Sequence, residues 1–291
     1  MVDWKYGLVI DQYQVERNKM GAPNLPGDLE PQAILTDAGL RLAHSLEAPK
    51  SNGMQKQAGV FLGFHGGGGA APLFATRSGL AMALHALGQG SIFPQANGHW
   101  SDGRLSLEDG WAADLDFIHH LVRNSGPMPV ALAGLSNGAM FAQRLACELL
   151  PAPRALAMVM GAMPVDFLHE APAGNPVHVM IAPSPVDAII PWSGGEMMRI
   201  NTETPGGELL SADDTLAFWL RRNRAVGVAP RRIVRYFGLR PVEIRLWSGA
   251  ADVWQVVLHE TAHGWPERPS NIPVAGSLED LIARFLCHYS V

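Results

Sequence analysis

Pro129-Val130-Ala131-Leu132-Ala133-Gly134-Leu135-Ser136-Asn137-Gly138 is the stretch on which the reading of this chain turns. Five mostly apolar residues run into a pentapeptide of the form Gly-x-Ser-x-Gly, and a helix-forming run from Ala139 to Leu150 follows. The segment predicts a buried strand, a tight turn and a helix, in that order. In such a turn the serine sits on a strained backbone and is pushed beyond the sheet, at a helix N-terminus. Glycines flank it because bulkier neighbours would clash. Ser136 is therefore the candidate nucleophile. The competing reading is an ordinary strand-to-helix turn with a solvated serine.

Upstream, Val60-Phe61-Leu62-Gly63-Phe64 is a short apolar run that ends at His65-Gly66-Gly67-Gly68-Gly69. Acyl transfer builds negative charge on a former carbonyl oxygen, and two preorganised N–H groups must face it. The backbone N–H of Asn137, just after the nucleophile, supplies one. The glycine loop supplies the other, with Gly67 as the candidate, because glycine lets the backbone approach without a Cβ in the way. No Gly-Lys-Ser/Thr follows these glycines, which excludes a Walker A phosphate loop. A plain flexible turn is the remaining alternative.

Downstream, the expected order is serine, then a carboxylate, then histidine. His263 lies in Thr261-Ala262-His263-Gly264-Trp265-Pro266, soon after the last strand candidate, and is the candidate general base. Asp187 follows the strand Val177 to Ala182 and is the candidate acid. Asp166, after the previous strand, is the alternative. Asp252 is placed less well, in a turn before a strand. His259-Glu260-Thr261-Ala262-His263 is also a literal His-Glu-x-x-His, which on a helix would hold zinc with the glutamate as base. Its flanks argue otherwise. Trp254 to Leu258 reads as a strand, Gly264-Trp265-Pro266 would end a helix at once, and no third ligand follows at motif spacing. A zinc-dependent hydrolase and a non-catalytic binding module on the same scaffold are the two other function classes carried forward.

The remaining pattern alternates strands and helices. Thr76 to Leu87 and Leu107 to Arg123 have helical spacing, and Ser91 to Pro94 reads as a strand end. Leu156 to Met160, Val177 to Ala182, Val242 to Trp247 and Val253 to Leu258 read as strands. Ser211 is a candidate N-cap for a helix to about Arg222, and Leu278 to Tyr289 is a closing helix. This rhythm predicts an α/β fold, a mostly parallel sheet with helices on both faces. One domain over residues 1–291 is expected, with 1–55 as an irregular lead-in that carries at most early antiparallel strands.

At 47% hydrophobic and 17% charged residues, the chain can build a large core. A net charge of -5 favours neither nucleic acid nor an anionic membrane surface. No window approaches the roughly 20 apolar residues of a membrane span. Met1-Val2-Asp3-Trp4-Lys5-Tyr6-Gly7 lacks a basic region followed by an apolar one, so a cytoplasmic location is expected. Cys147 and Cys287 read as two buried thiols rather than a disulfide framework. No metal or other cofactor is implied, the partner expected is a small-molecule ester, and the oligomeric state is left open.

These motifs together resemble the polyhydroxybutyrate depolymerase-like esterases, a branch of the α/β-hydrolases that includes feruloyl and acetylxylan esterases. The resemblance runs from about Gly59 to Trp265. It rests on His65-Gly66-Gly67-Gly68, on Gly134-Leu135-Ser136-Asn137-Gly138-Ala139-Met140 and on Asp187-Ala188-Ile189-Ile190-Pro191-Trp192-Ser193-Gly194-Gly195. It continues in Ser211-Ala212-Asp213-Asp214-Thr215-Leu216-Ala217-Phe218-Trp219 and Ala262-His263-Gly264-Trp265-Pro266. It implies an α/β-hydrolase fold and an esterase with Ser136, Asp187 and His263 as its triad. The acid loop reads Pro183-Ser184-Pro185-Val186-Asp187 where the family usually carries His-Gly-Thr-x-Asp, and Glu260-Thr261-Ala262 stand where glycines usually precede the histidine. Trp192 and Trp265 adjoin the candidate acid and base. They are candidates to line an acyl or aryl pocket, or else core residues.

Overall fold

The computed structural model describes residues 28–49, 59–237, 240–266 and 276–290. Of the lead-in read over residues 1–55, 1–27 and 50–55 lie outside the described residues. The rest carries the early antiparallel strands: it pairs as a hairpin, β1 (Glu30–Thr36) with β2 (Gly39–Leu46).

Then come β3 (Val60–Phe64), helices α1 (Ala71–Arg77) and α2 (Leu80–Ala86), and β4 (Ser91–Pro94). The single helix expected over Thr76 to Leu87 is two short ones, displaced toward the N-terminus. Gly79 parts them in the left-handed conformation, φ 69°. A 3-10 turn (Leu105–Gly110) leads into α3 (Trp111–Asn124), followed by β5 (Val130–Leu135), α4 (Asn137–Glu148) and β6 (Ala155–Val159). Next are α5 (Val165–Glu170), β7 (His178–Ala182) and a two-residue pair, β8 (Gly195–Glu196) with β9 (Glu208–Leu209). The chain closes with α6 (Ala212–Arg222), β10 (Arg231–Phe237), β11 (Arg240–Trp247), β12 (Val253–Val257) and α7 (Leu278–Tyr289). Ser211 caps α6 as expected, its Oγ accepting the Asp214 N–H at 2.9 Å.

One sheet runs β1-β2-β4-β3-β5-β6-β7-β12-β11-β10. The six strands from β4 to β12 are mutually parallel, and antiparallel pairs extend both edges. Alternation along the central strands decides what covers each face. Val60, Leu62, Phe64, Val130, Leu132, Leu156 and Met158 face the cluster that holds Phe117 of α3, Phe141 of α4 and Trp219 of α6. The intervening residues Ala131, Ala133, Ala155 and Ala157 are small and face Leu80 of α2 and Ile282 and Phe285 of α7. Small side chains there let α7 lie close over β5, β6 and β7. No helix among the described residues is long and apolar enough to cross a membrane.

The topology also says where a site belongs. From β3 the chain steps to β4 on one side, then returns to place β5 on the other. Loops after β3 and β5 therefore diverge and open a crevice at the carboxyl ends of those strands, the switch point where open α/β sheets bind ligands. His65 to Gly69 and Ser136 are the residues that stand there.

Candidate active site

Ser136 joins β5 to α4 with φ 54° and ψ −124°, a conformation few residues other than glycine adopt. Three backbone hydrogen bonds hold it. The Ser136 N–H donates to Val159 at 2.9 Å, and its carbonyl accepts from Ala139 at 2.9 Å and Met140 at 3.0 Å. Both flanking glycines are required by close approach. A methyl at Gly138 would overlap the carbonyl oxygens of His65 and Phe64, and one at Gly134 would overlap the Gly138 carbonyl. The turn is thus wedged against the end of β3, and the glycine loop is brought beside it.

Three side chains from separate loops meet at this turn. His263 Nε2 lies 2.9 Å from Ser136 Oγ. His263 Nδ1 lies 2.8 Å from Asp187 Oδ2 and 2.9 Å from Oδ1. Asp187 is buried, and its Oδ1 also accepts the N–H groups of Ile189 at 2.8 Å and Ile190 at 2.9 Å, which fixes the carboxylate. An ionised carboxylate only accepts, so Nδ1 carries the imidazole proton and Nε2 is left to accept from the serine hydroxyl.

Asp166 and Asp252 stand elsewhere. Asp166 sits in the first turn of α5, where its Oδ2 accepts the Leu105 N–H at 3.0 Å. Asp252 precedes β12 at the opposite end of the strands: its carbonyl accepts from Val179 and its carboxylate accepts from the Tyr289 hydroxyl at 2.6 Å. The segment His259 to His263 follows β12 as a turn, with Glu260 at φ 62°, so its two histidines do not share a helical face.

The loop carrying the histidine is tied to the loop carrying the acid through Ser184, which the sequence reading passed over. Its buried hydroxyl donates to the Thr261 carbonyl at 2.6 Å, and its carbonyl accepts the Asp187 N–H at 3.3 Å. The acid loop thus keeps its place without a His-Gly-Thr lead-in. A small serine in a Pro-Ser-Pro frame was the only visible signal.

The glycine loop is built on His65. Its Nδ1 lies 2.8 Å from the Gly66 carbonyl, while the Ala96 N–H and the Gln95 amide both point at Nε2, each at 3.1 Å. Two donors at Nε2 require it to accept, so the ring is neutral with its proton on Nδ1. Burial pushes its pKa down to about 4, with the Gly66 carbonyl pulling it upward and His99 pulling it down. Gly67 lies against His99 on one side, and a methyl there would also come within 3.6 Å of Asn137 Cβ. Gly67 and Asn137 are therefore neighbours beside Ser136.

Trp192 is half-buried and lines a small cavity with Asp187, Ser184 and Ile190. Trp265 packs edge-on to Phe74 of α1, ring centroids 5.4 Å apart, on the core face that α7 covers. The two thiols differ from expectation in one respect: Cys147 is buried but Cys287 is only half-buried.

No family model matches the chain, and comparison with curated proteins finds no match. Solved structures do match. An acetyl xylan esterase from Aspergillus awamori superposes with a TM-score of 0.58 at 14% identity, over 89% of this chain and 100% of that one. The esterase domain of a Rhodothermus marinus protein gives 0.52 at 12% identity, over 91% and 100%. A ferulic acid esterase gives 0.52 at 13% identity, over 92% and 98%. At such identities the likeness is one of fold: the chain has the α/β-hydrolase fold.

Proposed function

We propose that this protein is a carboxylic ester hydrolase that works through an acyl-enzyme on Ser136. The observation that carries the reading is the continuous relay Ser136 Oγ–His263 Nε2, His263 Nδ1–Asp187, at 2.9 and 2.8 Å, on a strained serine at a helix N-terminus. In this reading His263 takes the hydroxyl proton as Ser136 attacks the ester carbonyl. Asp187 keeps the imidazole in the accepting tautomer and offsets the imidazolium charge. The N–H groups of Asn137 and Gly67 receive the charge that develops on the carbonyl oxygen. Collapse expels the alcohol, which takes the proton back from Nε2. Water, deprotonated by the same nitrogen, then releases the acid and restores Ser136.

For the substrate, the resemblance in the motifs favours the polyhydroxybutyrate depolymerase-like branch, hence hydroxyalkanoate oligomers, aryl or short acyl esters. Neighbours named as acetyl xylan and ferulic acid esterases share the scaffold and fit the same range. A panel of short acyl, hydroxybutyryl and feruloyl esters, run beside Ser136→Ala, tests the reading. Turnover of at least one ester, lost in a variant that still folds, is the expected result. Near wild-type turnover by Ser136→Ala would sink the assignment.

A further inference from the structure

The relay accounts for the serine and its base but not for what aims the N–H of Asn137. That residue is buried, and its side chain faces neither Ser136 nor His263. It reaches instead into the loop between β4 and the 3-10 turn. Asn137 Oδ1 accepts the Trp100 N–H at 2.9 Å. Its Nδ2 donates to the Trp100 carbonyl at 2.9 Å and to Asp102 Oδ2 at 2.6 Å. Asp102 is fully buried and is paired with Arg104, Nε to Oδ1 at 3.0 Å and Nη2 to Oδ2 at 2.6 Å. Arg104 is buried in turn, and its Nη1 donates to the Pro205 carbonyl at 2.7 Å, between β8 and β9.

From this geometry we infer that Asp102 is a positioning residue for the oxyanion hole, acting through the side chain of Asn137. The inference rests on the serine-hydrolase reading above. A buried ion pair gives back little net stability, because taking both charges out of water costs about as much as their attraction returns. What it does supply is direction. A charged acceptor makes a shorter, stronger bond than a neutral one, and here it closes a three-point hold on one amide. The residue so held is the one whose backbone N–H must meet the developing oxyanion, where displacement by about 1 Å can cost on the order of a hundred-fold in rate. The same loop also steadies the second donor. Trp100 Nε1 donates to the His65 carbonyl at 3.1 Å, at the root of the glycine loop, and its ring stacks on Phe141 of α4 at 4.7 Å. Both oxyanion donors are thus referred to one frame, and Asp102 is the charge that locks it to α4.

The test is steady-state kinetics on p-nitrophenyl acetate, with kcat expressed per serine titrated by a fluorophosphonate, so that unfolded protein does not count. Asp102→Asn and Asn137→Ala are each expected to lower kcat by on the order of 10- to 100-fold with KM nearly unchanged. The double variant is expected to be no slower than the slower single one, because both remove the same hold. A role confined to stability would lower the titrated fraction and leave kcat per serine alone. If Asp102→Asn does not fold, Asn137→Ala decides the matter, since it leaves the ion pair intact. Wild-type kcat per serine in the variants, or losses that multiply in the double variant, overturns the inference while wild-type turnover keeps the hydrolase reading. A wild-type protein that neither labels nor hydrolyses the ester overturns both.

Discussion

A carboxylate that orients an imidazole must itself be held, and it must be ionised at the moment the ring takes a proton. Asp187 is held by two backbone N–H groups and touches His263 at 2.8 Å, whereas Asp166 caps a different segment through Leu105. Asp187→Asn should therefore lower kcat by about 10⁴, as an amide stabilises the wrong tautomer and cannot offset the imidazolium. Asp166→Asn should leave kcat close to wild type. Kinetics of both variants on one soluble ester check this, and the reverse order would move the acid assignment. Ser136, Asp187 and His263 meet as the sequence leads one to expect, but position after a strand alone does not separate Asp187 from Asp166; the resemblance in the motifs does. Ser184, Asp102 and Arg104 are not legible in the sequence. Each is an ordinary polar residue in a loop, and the contact that ties it to the rest of the site spans 77, 35 or 101 residues, a distance no local pattern encodes. The two thiols give a further expectation. Burial pushes Cys147 up to about 12 and Cys287 up to about 11, so neither holds much thiolate at neutral pH. Both should react slowly with iodoacetamide at pH 7.5 in native protein and fast after denaturation, as read by mass spectrometry.

Strands β5, β6 and β7 were found from sequence because they are buried on both faces and read as unbroken apolar runs. Edge elements carry no such signal. β10 is Arg231-Arg232-Ile233-Val234-Arg235-Tyr236-Phe237, a segment the sequence analysis leaves unassigned, with exposed arginines at a sheet edge. Charge there guards an edge against pairing with another chain, which is a reason strands of this kind are hard to see. The elbow is the opposite case, because its glycines are demanded by contacts between elements as well as by the turn. Gly138→Ala sets a methyl against the carbonyls that end β3, so the strand and α4 must separate. Overpacking of this sort costs about 1–3 kcal/mol or more, read as a lowered urea midpoint, with turnover falling as the Ser136 turn shifts. Ser211→Ala removes the N-cap of α6, far from the Ser136 turn in sequence, and should cost about 1 kcal/mol.

His65 couples the stability of the fold as a unit to pH, because it stands where the parallel core gives way to the glycine loop and is only 1% exposed. In the folded protein burial holds its pKa at about 4, and two donors already occupy the nitrogen that would have to gain the proton. In the unfolded chain the ring returns to the ordinary histidine value of 6.5. Above pH 6.5 neither state is protonated at this ring, and the group contributes nothing to the pH dependence. Between 6.5 and about 4 the unfolded chain binds a proton that the folded protein refuses, so stability falls as pH falls. Below about 4 both states are protonated and the loss levels off. The gap between the two values corresponds to about 3 kcal/mol, a large share of the 5–15 kcal/mol that holds a typical domain folded. His44, buried with its pKa lowered for the same reason, adds to the loss in the same direction. Urea unfolding at a series of pH values from 7.5 to 4 should therefore show little change from these rings down to about pH 6.5 and a progressive loss of stability below it. His65→Gln should be less stable than wild type at pH 7.5, because one amide cannot reproduce both ring contacts. Its stability should nevertheless fall by about 3 kcal/mol less across that window, since the titrating group has been removed. Parallel curves for the two proteins would mean that His65 takes its proton as readily folded as unfolded, and that the neutral ring under the glycine loop is wrong.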